Sequence, residues 1–417
     1  MTKEKSTVPR LRFPGFTDAW KQRKLGEVAI SFDYGLNSAA TEYDGENKYL
    51  RITDIDDDSR EFNISNLTSP EINLFGLDEY RLSIGDILFA RTGASVGKSY
   101  IYRSVDGKVY FAGFLIRVKI KDTFNPDFVF QNTLTSNYER FISITSMRSG
   151  QPGVNAQEYS NYEIMFPTLS EQEAIGSFFS DLDQLITLHQ RKLDDVKELK
   201  KALLQKMFPK GNGNDFPELR FPEFTDAWKQ RKFSDLAEVR RGLTYSPSAI
   251  RSHGVRVLRS SNINEDTFVF GEDDVFVDKS VVKIPLVEEG DILITSANGS
   301  SRLVGKHSII KGLPSNSAIH GGFMLLASSK VPCFLNAFMS STWYHKFIGL
   351  YVAGGNGAIG NLNKSDLDEQ IVLVPSHPEQ EAIGNFFSDL DQLITLHQRQ
   401  LDYLKLLKKA LLQQMFI

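Results

Sequence analysis

The fold is decided by a stretch at residues 171–208, EQEAIGSFFSDLDQLITLHQRKLDDVKELKKALLQKMF, which returns almost unchanged at residues 379–416 as EQEAIGNFFSDLDQLITLHQRQLDYLKLLKKALLQQMF. The two copies are identical at 32 of 38 positions and lie 208 residues apart. In both, apolar residues recur at spacings of three and four, which is typical of an amphipathic helix that packs on another helix. At about 1.5 Å per residue, each copy predicts a helix roughly 55 Å long, which suits a spacer better than the interior of a compact domain.

A shorter block repeats with the same offset. The sequence LRFPGFTDAWKQRK at residues 11–24 recurs as LRFPEFTDAWKQRK at residues 219–232, with one difference in 14 positions and again 208 residues later. Two blocks with one offset indicate that the whole half of the chain is duplicated in tandem. The sequence therefore predicts four segments, which are a globular domain at 1–170, a spacer helix at 171–208, a linker and second globular domain at 209–378, and a second spacer helix at 379–417.

The regions between the repeated blocks share the same order of motifs but little sequence identity. Each has a GDIL strand motif (85–88 and 290–293), then a polar loop that ends in VGK (96–98 and 304–306), and finally an apolar strand closed by proline. Short β-rich runs alternate with helical stretches, so each region is predicted to be one mixed α/β (α+β) domain. Because the two regions have equal length but divergent sequences, we expect the two domains to recognise different targets.

Composition excludes several classes of protein. The 417 residues include 41% hydrophobic residues, a net charge of −4 and one cysteine, Cys333, so an internal disulfide is excluded and a cytoplasmic protein is expected. No apolar run approaches about 18 residues, which predicts no membrane span. The sequence RTGASVGKS has the wrong spacing for a phosphate loop, the glycine run at 355–360 lacks the context of a dinucleotide site, and the seven histidines show no metal-ligand spacing. We therefore expect no cofactor and no metal.

The apolar seam of each predicted helix contains a histidine at the equivalent position. A polar residue in such a seam usually sets register and the choice of partner. If the two helices pair antiparallel, His189 is predicted to lie opposite His397. The predicted seam residues are Leu182, His189, Val196, Leu390, His397 and Leu404.

Polar and basic loops are the best candidates for contact with nucleic acid. Arginine and asparagine can make bidentate contacts to base edges, while lysine and serine mostly hold phosphates. A solvated surface is the alternative interpretation of each cluster. The candidates are Arg91, Thr92, Ser95 and Lys98 in the first half; Ser296, Asn298, Ser301, Arg302 and Lys306 in the second; Arg148, Ser149 and Gln151, matched by Asn356, in a further pair of loops; and Arg240, Arg241 and Arg259 in a basic run.

Together, the paired long helices, the GDIL strands and the block before each domain resemble the specificity subunit of a type I restriction–modification system, over essentially the whole chain. The resemblance implies two target-recognition domains held apart by an antiparallel coiled coil. It also implies double-stranded DNA, two methyltransferase (modification) subunits and restriction (translocase–nuclease) subunits as partners. A spacer of roughly 55 Å corresponds to about 16 base pairs, so a bipartite, asymmetric target with an unspecified gap is expected.

The expected function is therefore a non-catalytic DNA-recognition subunit that directs adenine methylation and restriction by its partners. Two alternatives remain open at this point. The chain could be a coiled-coil scaffold that does not read DNA, or a self-sufficient methyltransferase or nuclease.

Overall fold

The computed structural model describes residues 8–147, 150–210, 216–352 and 361–417. The chain divides into two compact units, the first formed by Met1–Arg191 with Gln398–Ile417 and the second by Lys192–His397. Each unit contains one globular part and a portion of both long helices. The four predicted segments divide the chain by sequence instead, and their limits stay a prediction.

The first unit is a mixed α/β structure. Its elements within the described residues are β1 (Lys21–Lys24), α1 (Leu25–Val28), β2 (Ala29–Tyr34), β3 (Ala40–Glu42), β4 (Lys48–Leu50), β5 (Thr68–Pro70), β6 (Ile87–Ala90), β7 (Ser99–Ile101), β8 (Val109–Phe111), β9 (Leu115–Ile120), α2 (Pro126–Asn132), α3 (Ser136–Thr145), α4 (Ala156–Ser160), β10 (Glu163–Phe166) and the start of α5 (Leu169–Lys206).

An antiparallel sheet of order β2-β9-β6-β7 forms the centre of this unit, and the parallel pair β4–β8 lies over its core. Strand β6 is the predicted GDIL strand. It is buried along its whole length and begins after Gly85, whose φ of +87° is a backbone conformation that favours glycine.

The second unit repeats this plan. Its elements are β11 (Lys229–Lys232), β12 (Glu238–Arg241), β13 (Ile250–Arg251), β14 (Val255–Leu258), β15 (Ile263–Asn264), β16 (Thr267–Phe268), β17 (Val275–Val277), β18 (Ile292–Thr295), β19 (His307–Ile309), β20 (Ala318–His320), β21 (Met324–Ser328), α6 (Pro332–Met339), α7 (Thr342–Val352), α8 (Lys364–Asp368), β22 (Ile371–Val374) and the start of α9 (His377–Met415).

The sheet order β12-β21-β18-β19 matches β2-β9-β6-β7 strand for strand, and the parallel pair β14–β20 matches β4–β8. Strands β13 and β17 extend the second pair into a four-stranded sheet. The prediction of a duplicated mixed α/β fold is therefore confirmed, although the two regions between the repeated blocks differ widely in sequence.

Helices α5 and α9 confirm the two predicted long helices, with 38 and 39 residues. Within the first unit, Phe416 lies 5.7 Å from Phe179 between ring centroids, and Lys408 forms an ion pair of 2.5 Å with Asp183. Within the second unit, Phe208 stacks on Phe387 at 5.9 Å, and Lys200 pairs with Asp391 at 2.7 Å. The end of one helix packs beside the beginning of the other in each unit, so the two run antiparallel there.

The seam residues differ in burial. Leu182 and Leu390 are buried, and Val196 and Leu404 are half-buried. His189 and His397 are half-buried and both take part in further interactions. They belong to different units, and their pairing stays a prediction.

The short repeated block fastens the beginning of each long helix, and we call this arrangement the clasp. In the first unit, Arg12 donates two hydrogen bonds to the carboxylate of Glu171, at 2.6 and 2.7 Å. The Leu11 N–H donates to the Gln414 carbonyl at 2.9 Å. Residues 21–24 pair as β1 with β10, the strand that precedes α5. The second unit repeats the clasp with Arg220 and Glu379. In each half, the short repeated block and the beginning of the long helix therefore form one packing unit.

Candidate nucleic-acid interface

The two predicted DNA loops are built on one backbone frame. We call residues 91–98 the first loop and residues 296–306 the second loop. The first loop closes through Gly97, whose N–H donates to the Ala90 carbonyl at 2.9 Å, and the second through Gly305, which donates to Thr295 at the same distance. Both glycines have positive φ, +84° and +82°. In each, an added Cβ would lie 2.6 Å from an isoleucine side chain, so glycine is required there.

A tyrosine hydroxyl anchors each of these glycines. Tyr138 donates to the Gly97 carbonyl at 2.9 Å, and Tyr344 donates to the Gly305 carbonyl at 2.9 Å. Burial raises the pKa of both tyrosines, so each remains a hydrogen-bond donor at neutral pH. The loop ends are thus fixed identically, while the residues between them are free to differ.

In the first unit the structure brings two predicted clusters together. Thr92 forms a β-bridge with Gly153, the Gly93 N–H donates to the Pro152 carbonyl at 3.1 Å, and the Val154 N–H donates to Arg91 at 2.9 Å. The exposed side chain of Gln151 therefore lies beside the first loop. The candidates Arg148 and Ser149 lie outside the described residues.

The second unit has the same junction. Ala297 forms a β-bridge with Asn361, and the Leu362 N–H donates to the Ser296 carbonyl at 2.7 Å. The candidate Asn356 and the glycine run at 355–360 lie outside the described residues. The equivalence of Thr92–Gly153 and Ala297–Asn361 shows that each loop is backed by the segment before the last short helix of its globular part.

The Arg91 side chain is held in a fixed orientation. Its Nε donates to the Gly113 carbonyl at 3.1 Å, and its guanidinium lies 5.1 Å from the ring centroid of Tyr34 and 5.8 Å from that of Phe114. Stacking on aromatic rings of this kind stabilises a cation and orders it. Sequence reasoning missed both rings, because residues 34, 91 and 114 are far apart in the chain.

The second loop has different side chains at the same places. Ser296 takes the position of Arg91, since its N–H donates to the Phe323 carbonyl at 2.9 Å as that of Arg91 does to Phe114 at 3.1 Å. Asn298 donates from its amide to the Ser260 hydroxyl at 3.1 Å. Ser301 and Arg302 are exposed, in a short 3-10 turn. Ser95 of the first loop is half-buried, in the corresponding turn.

Several of the predicted basic contacts are engaged within the fold. Lys98 pairs with Asp57 at 2.5 Å, Arg240 with Asp291 at 3.1 Å, and Arg259 with Asp273 at 3.1 Å. These partners compensate the charges, so the ion pairs give no support to a DNA contact by Lys98, Arg240 or Arg259. By contrast, Arg91, Arg241 and Arg302 form no ion pair within the parts of the chain that the structure describes. Lys306 is half-buried at the end of the second loop.

The aspartate of each GDIL motif has a structural role that the sequence reasoning did not assign. Asp291 accepts from Arg240 and from the Ser328 hydroxyl. Asp86 is buried beside Arg117, 3.8 Å from its guanidinium, and burial raises the pKa of the Asp86 carboxyl. Repetition of this aspartate before both strands was the signal that could have identified it.

Buried histidines are confined to structural positions in the second unit. Burial lowers the pKa of His320 to about 4, and it lowers the pKa of His307 as well. Among the described residues, no group of three His, Cys, Asp or Glu side chains is placed to hold a metal ion. No helix in the described part of the chain is long and apolar enough to cross a membrane.

Comparison with known proteins gives consistent results. The family of the Type I restriction modification DNA specificity domain matches residues 17–198 and again residues 225–406. A putative type I restriction enzyme MjaX specificity subunit from Methanocaldococcus jannaschii is 23% identical over 407 residues, covering 94% of this chain and 92% of the relative. The type I restriction enzyme MjaVIII specificity subunit from the same organism is 21% identical over 338 residues, covering 78% of this chain and 77% of the relative.

Among solved structures, the crystal structure of a type I restriction–modification system S subunit from M. genitalium superposes with a TM-score of 0.68 at 14% identity. The match covers 98% of this chain and 99% of that one. At this identity the likeness establishes a common fold.

Proposed function

The chain belongs to the family of type I restriction modification DNA specificity domains and carries that domain twice, and from this premise we propose that each half reads one part of a bipartite DNA target. The protein acts as the non-catalytic recognition subunit of a type I restriction–modification complex. Adenine methylation, translocation and cleavage belong to its partners.

One observation supports this proposal most directly. The two loops have one backbone frame, closed by Gly97 and Gly305, but present different side chains. An arginine stacked on aromatic rings in the first unit corresponds to a serine in the second. Arginine commonly recognises the O6 and N7 atoms of guanine, and serine does not share that preference. The two parts of the target are therefore expected to differ in sequence, which makes the whole site asymmetric.

The helices support the choice of partner. Exposed leucines occupy the same positions in both copies, Leu185 and Leu188 on α5 and Leu393 and Leu396 on α9, each more than two-fifths exposed. Two near-identical apolar surfaces suit two copies of one protein, because the same partner must find the same surface twice. We assign these surfaces to two methyltransferase subunits, with restriction subunits completing the complex in the cytoplasm.

Methylome sequencing tests the proposal. A host that expresses this chain with its modification subunit is expected to methylate one bipartite motif with two different halves. Substitution of Arg91 should alter the half read by the first unit and leave the other half unchanged. Methyl transfer by the isolated chain would contradict the proposal in favour of an enzyme, and sequence-independent methylation by the complex would favour a scaffold.

A further inference from the structure

Two phenylalanines project from the same turn in the two globular parts. Phe114 lies between β8 and β9, and its side chain is 56% exposed; Phe323 lies between β20 and β21, and is 74% exposed. The surrounding sequence is FAGFLI at residues 111–116 and HGGFML at residues 320–325, so glycine and phenylalanine recur where most neighbouring positions differ. An exposed phenylalanine is an ordinary surface residue when it occurs singly. Its recurrence at one place in two diverged halves requires a reason.

The backbone forces both rings outward. The Leu115 N–H donates to the Ala112 carbonyl at 2.8 Å, and the Met324 N–H donates to the Gly321 carbonyl at 2.8 Å, which closes the same turn in both units. A second chain segment supports each turn from behind. In it, an added Cβ on Gly35 would lie 2.2 Å from the Ala112 carbonyl oxygen, and one on Gly242 would lie 1.9 Å from that of Gly321. This close backbone packing fixes the position of each turn, at which Phe114 and Phe323 are exposed.

Direct hydrogen bonds join each turn to its loop. The carbonyl of Phe114 accepts from the N–H of Arg91, and the carbonyl of Phe323 accepts from the N–H groups of Ser296 and Ala297 at 2.9 and 3.2 Å. Each exposed ring therefore lies beside the first residues of the first or second loop, where Arg91 is half-buried and Ser296 is buried. In the first unit the exposed ring of Tyr34 adjoins it across the Arg91 guanidinium.

We propose that Phe114 and Phe323 are DNA-contact residues that place an apolar ring against the base edges of the two target halves. This inference rests on the proposed function and adds to it a kind of contact that carries no charge. Aromatic side chains can contact the thymine methyl group in the major groove or insert between base steps. Double-stranded DNA is the occupant because the rings are continuous with the loops that carry Arg91, Asn298 and Arg302.

The absence of charge gives the test a distinctive readout. Lysine and arginine that neutralise phosphates make the logarithm of affinity fall steeply with the logarithm of salt concentration. A phenylalanine contact releases no counterion. Removing it is expected to weaken binding by the same factor at every salt concentration and to leave the slope unchanged.

The experiment measures binding of the complex of this chain with its methyltransferase subunit to fluorescent duplexes by anisotropy, at four salt concentrations. One duplex carries the motif found by methylome sequencing and the other a scrambled sequence. Phe114→Ala and Phe323→Ala are each expected to weaken binding to the target roughly 10- to 100-fold, about the cost of one mismatched base pair, with little change on the scrambled duplex and no change of salt slope. Phe114→Trp and Phe323→Trp should retain most of the affinity.

Ile84→Ala provides the matched control. Ile84 is 73% exposed and precedes β6, at the end of that strand opposite to Arg91. Its substitution removes a similar exposed apolar side chain and should leave target affinity unchanged. Equal losses in Ile84→Ala and Phe114→Ala would overturn the inference, as would a reduced salt slope in Phe323→Ala.

Two failures are distinguishable. If the wild-type complex binds the target and the scrambled duplex equally well, the proposed function fails. If the wild-type complex discriminates between them and both alanine variants bind the target as tightly as wild type, the proposed function survives and only this inference fails.

Discussion

Substitution of Glu171 by glutamine should destabilise the first unit selectively. The Glu171 carboxylate is fully buried and accepts two charge-assisted hydrogen bonds from Arg12, whose side chain is 13% exposed. The hydrogen bond raises the pKa of the Arg12 guanidinium, so its charge persists at any working pH. Glutamine has nearly the shape of glutamate but no negative charge. The largely buried Arg12 guanidinium therefore loses its ion-pair partner and keeps its hydrogen bond to the Asp18 carbonyl and the weaker attraction of Asp18.

The size of the destabilisation follows from the cost of leaving one member of a buried ion pair without its partner. Removing one partner typically costs 3–5 kcal/mol, and the residual exposure of Arg12 argues for the lower end, about 3 kcal/mol. The first unit has about 200 residues, for which the urea m-value is roughly 3 kcal/mol per molar. The urea midpoint of the first unit should therefore fall by about 1 M.

Pulsed hydrogen exchange with mass spectrometry across a urea series measures the two units separately, because each peptide reports its own unit. Glu171→Gln should shift the transition of first-unit peptides, and Glu379→Gln, at the same position of the second clasp, should shift those of the second unit. The double substitution Arg12→Met with Glu171→Leu should recover most of the loss, since an apolar pair of similar volume leaves no buried charge. A midpoint shift below about 0.3 M, or an equal shift in both units, would refute this reasoning.

Three further predictions concern the loops and the second unit. Arg91→Ala should weaken methylation of the wild-type target by altering how the first half is read, while subunit assembly, followed by size-exclusion chromatography, stays intact. Arg91→Lys should not restore it, because lysine lacks the planar group that stacks on Tyr34 and Phe114. Arg240→Ala should lower the free energy of unfolding by about 3 kcal/mol, because Asp291 is left buried without its cation. Its main effect should therefore be a lower thermal unfolding temperature and not a lower affinity for DNA. Burial lowers the pKa of His320 to about 4 in the folded protein, whereas the pKa of an unfolded histidine is about 6.5. As the pH falls below 6.5, the unfolded state binds a proton that the folded state does not, so the wild type should lose about 2 kcal/mol of stability between pH 7 and pH 5. His320→Asn should remove this loss and so flatten the pH dependence of urea unfolding.

Most of the fold could be predicted from the hydrophobic periodicity and the internal repeats of the sequence. The long helices could be predicted because their seam spacing persists over ten turns, and the duplication because both repeated blocks share one offset. The identity of the GDIL strands could also be predicted. The order of strands in the sheets could not, because it depends on pairings between residues far apart in sequence, such as β2 with β9.

The candidate site was predictable in position but not in chemistry. Sequence reasoning selected the loops at residues 91–98 and 296–306, yet it treated every lysine and arginine there as equally available. Whether a charge is available depends on tertiary partners. Asp291 forms an ion pair with Arg240, 51 positions away in the sequence, and Asp57 forms one with Lys98, 41 positions away. The recurrence of glycine and phenylalanine at residues 113–114 and 322–323 was visible in the sequence, but nothing there indicated that those rings adjoin the loops.

The division between fixed and variable positions gives the two halves a way to acquire different targets without altering the fold. Each loop is closed by backbone hydrogen bonds, a glycine with positive φ and a buried tyrosine, none of which depends on the side chains in between. The largely buried ion pair of Arg240 with Asp291 holds neighbouring segments in place, whereas the ion pairs of Lys98 and Arg259 have exposed carboxylate partners and contribute little to stability. Substitutions at positions 91, 298 and 302 therefore change what the surface presents at little cost in stability, whereas Ser296 is buried, and substitutions at 97, 240, 296 or 305 act first on folding. A specificity change engineered into this protein should start from the former set.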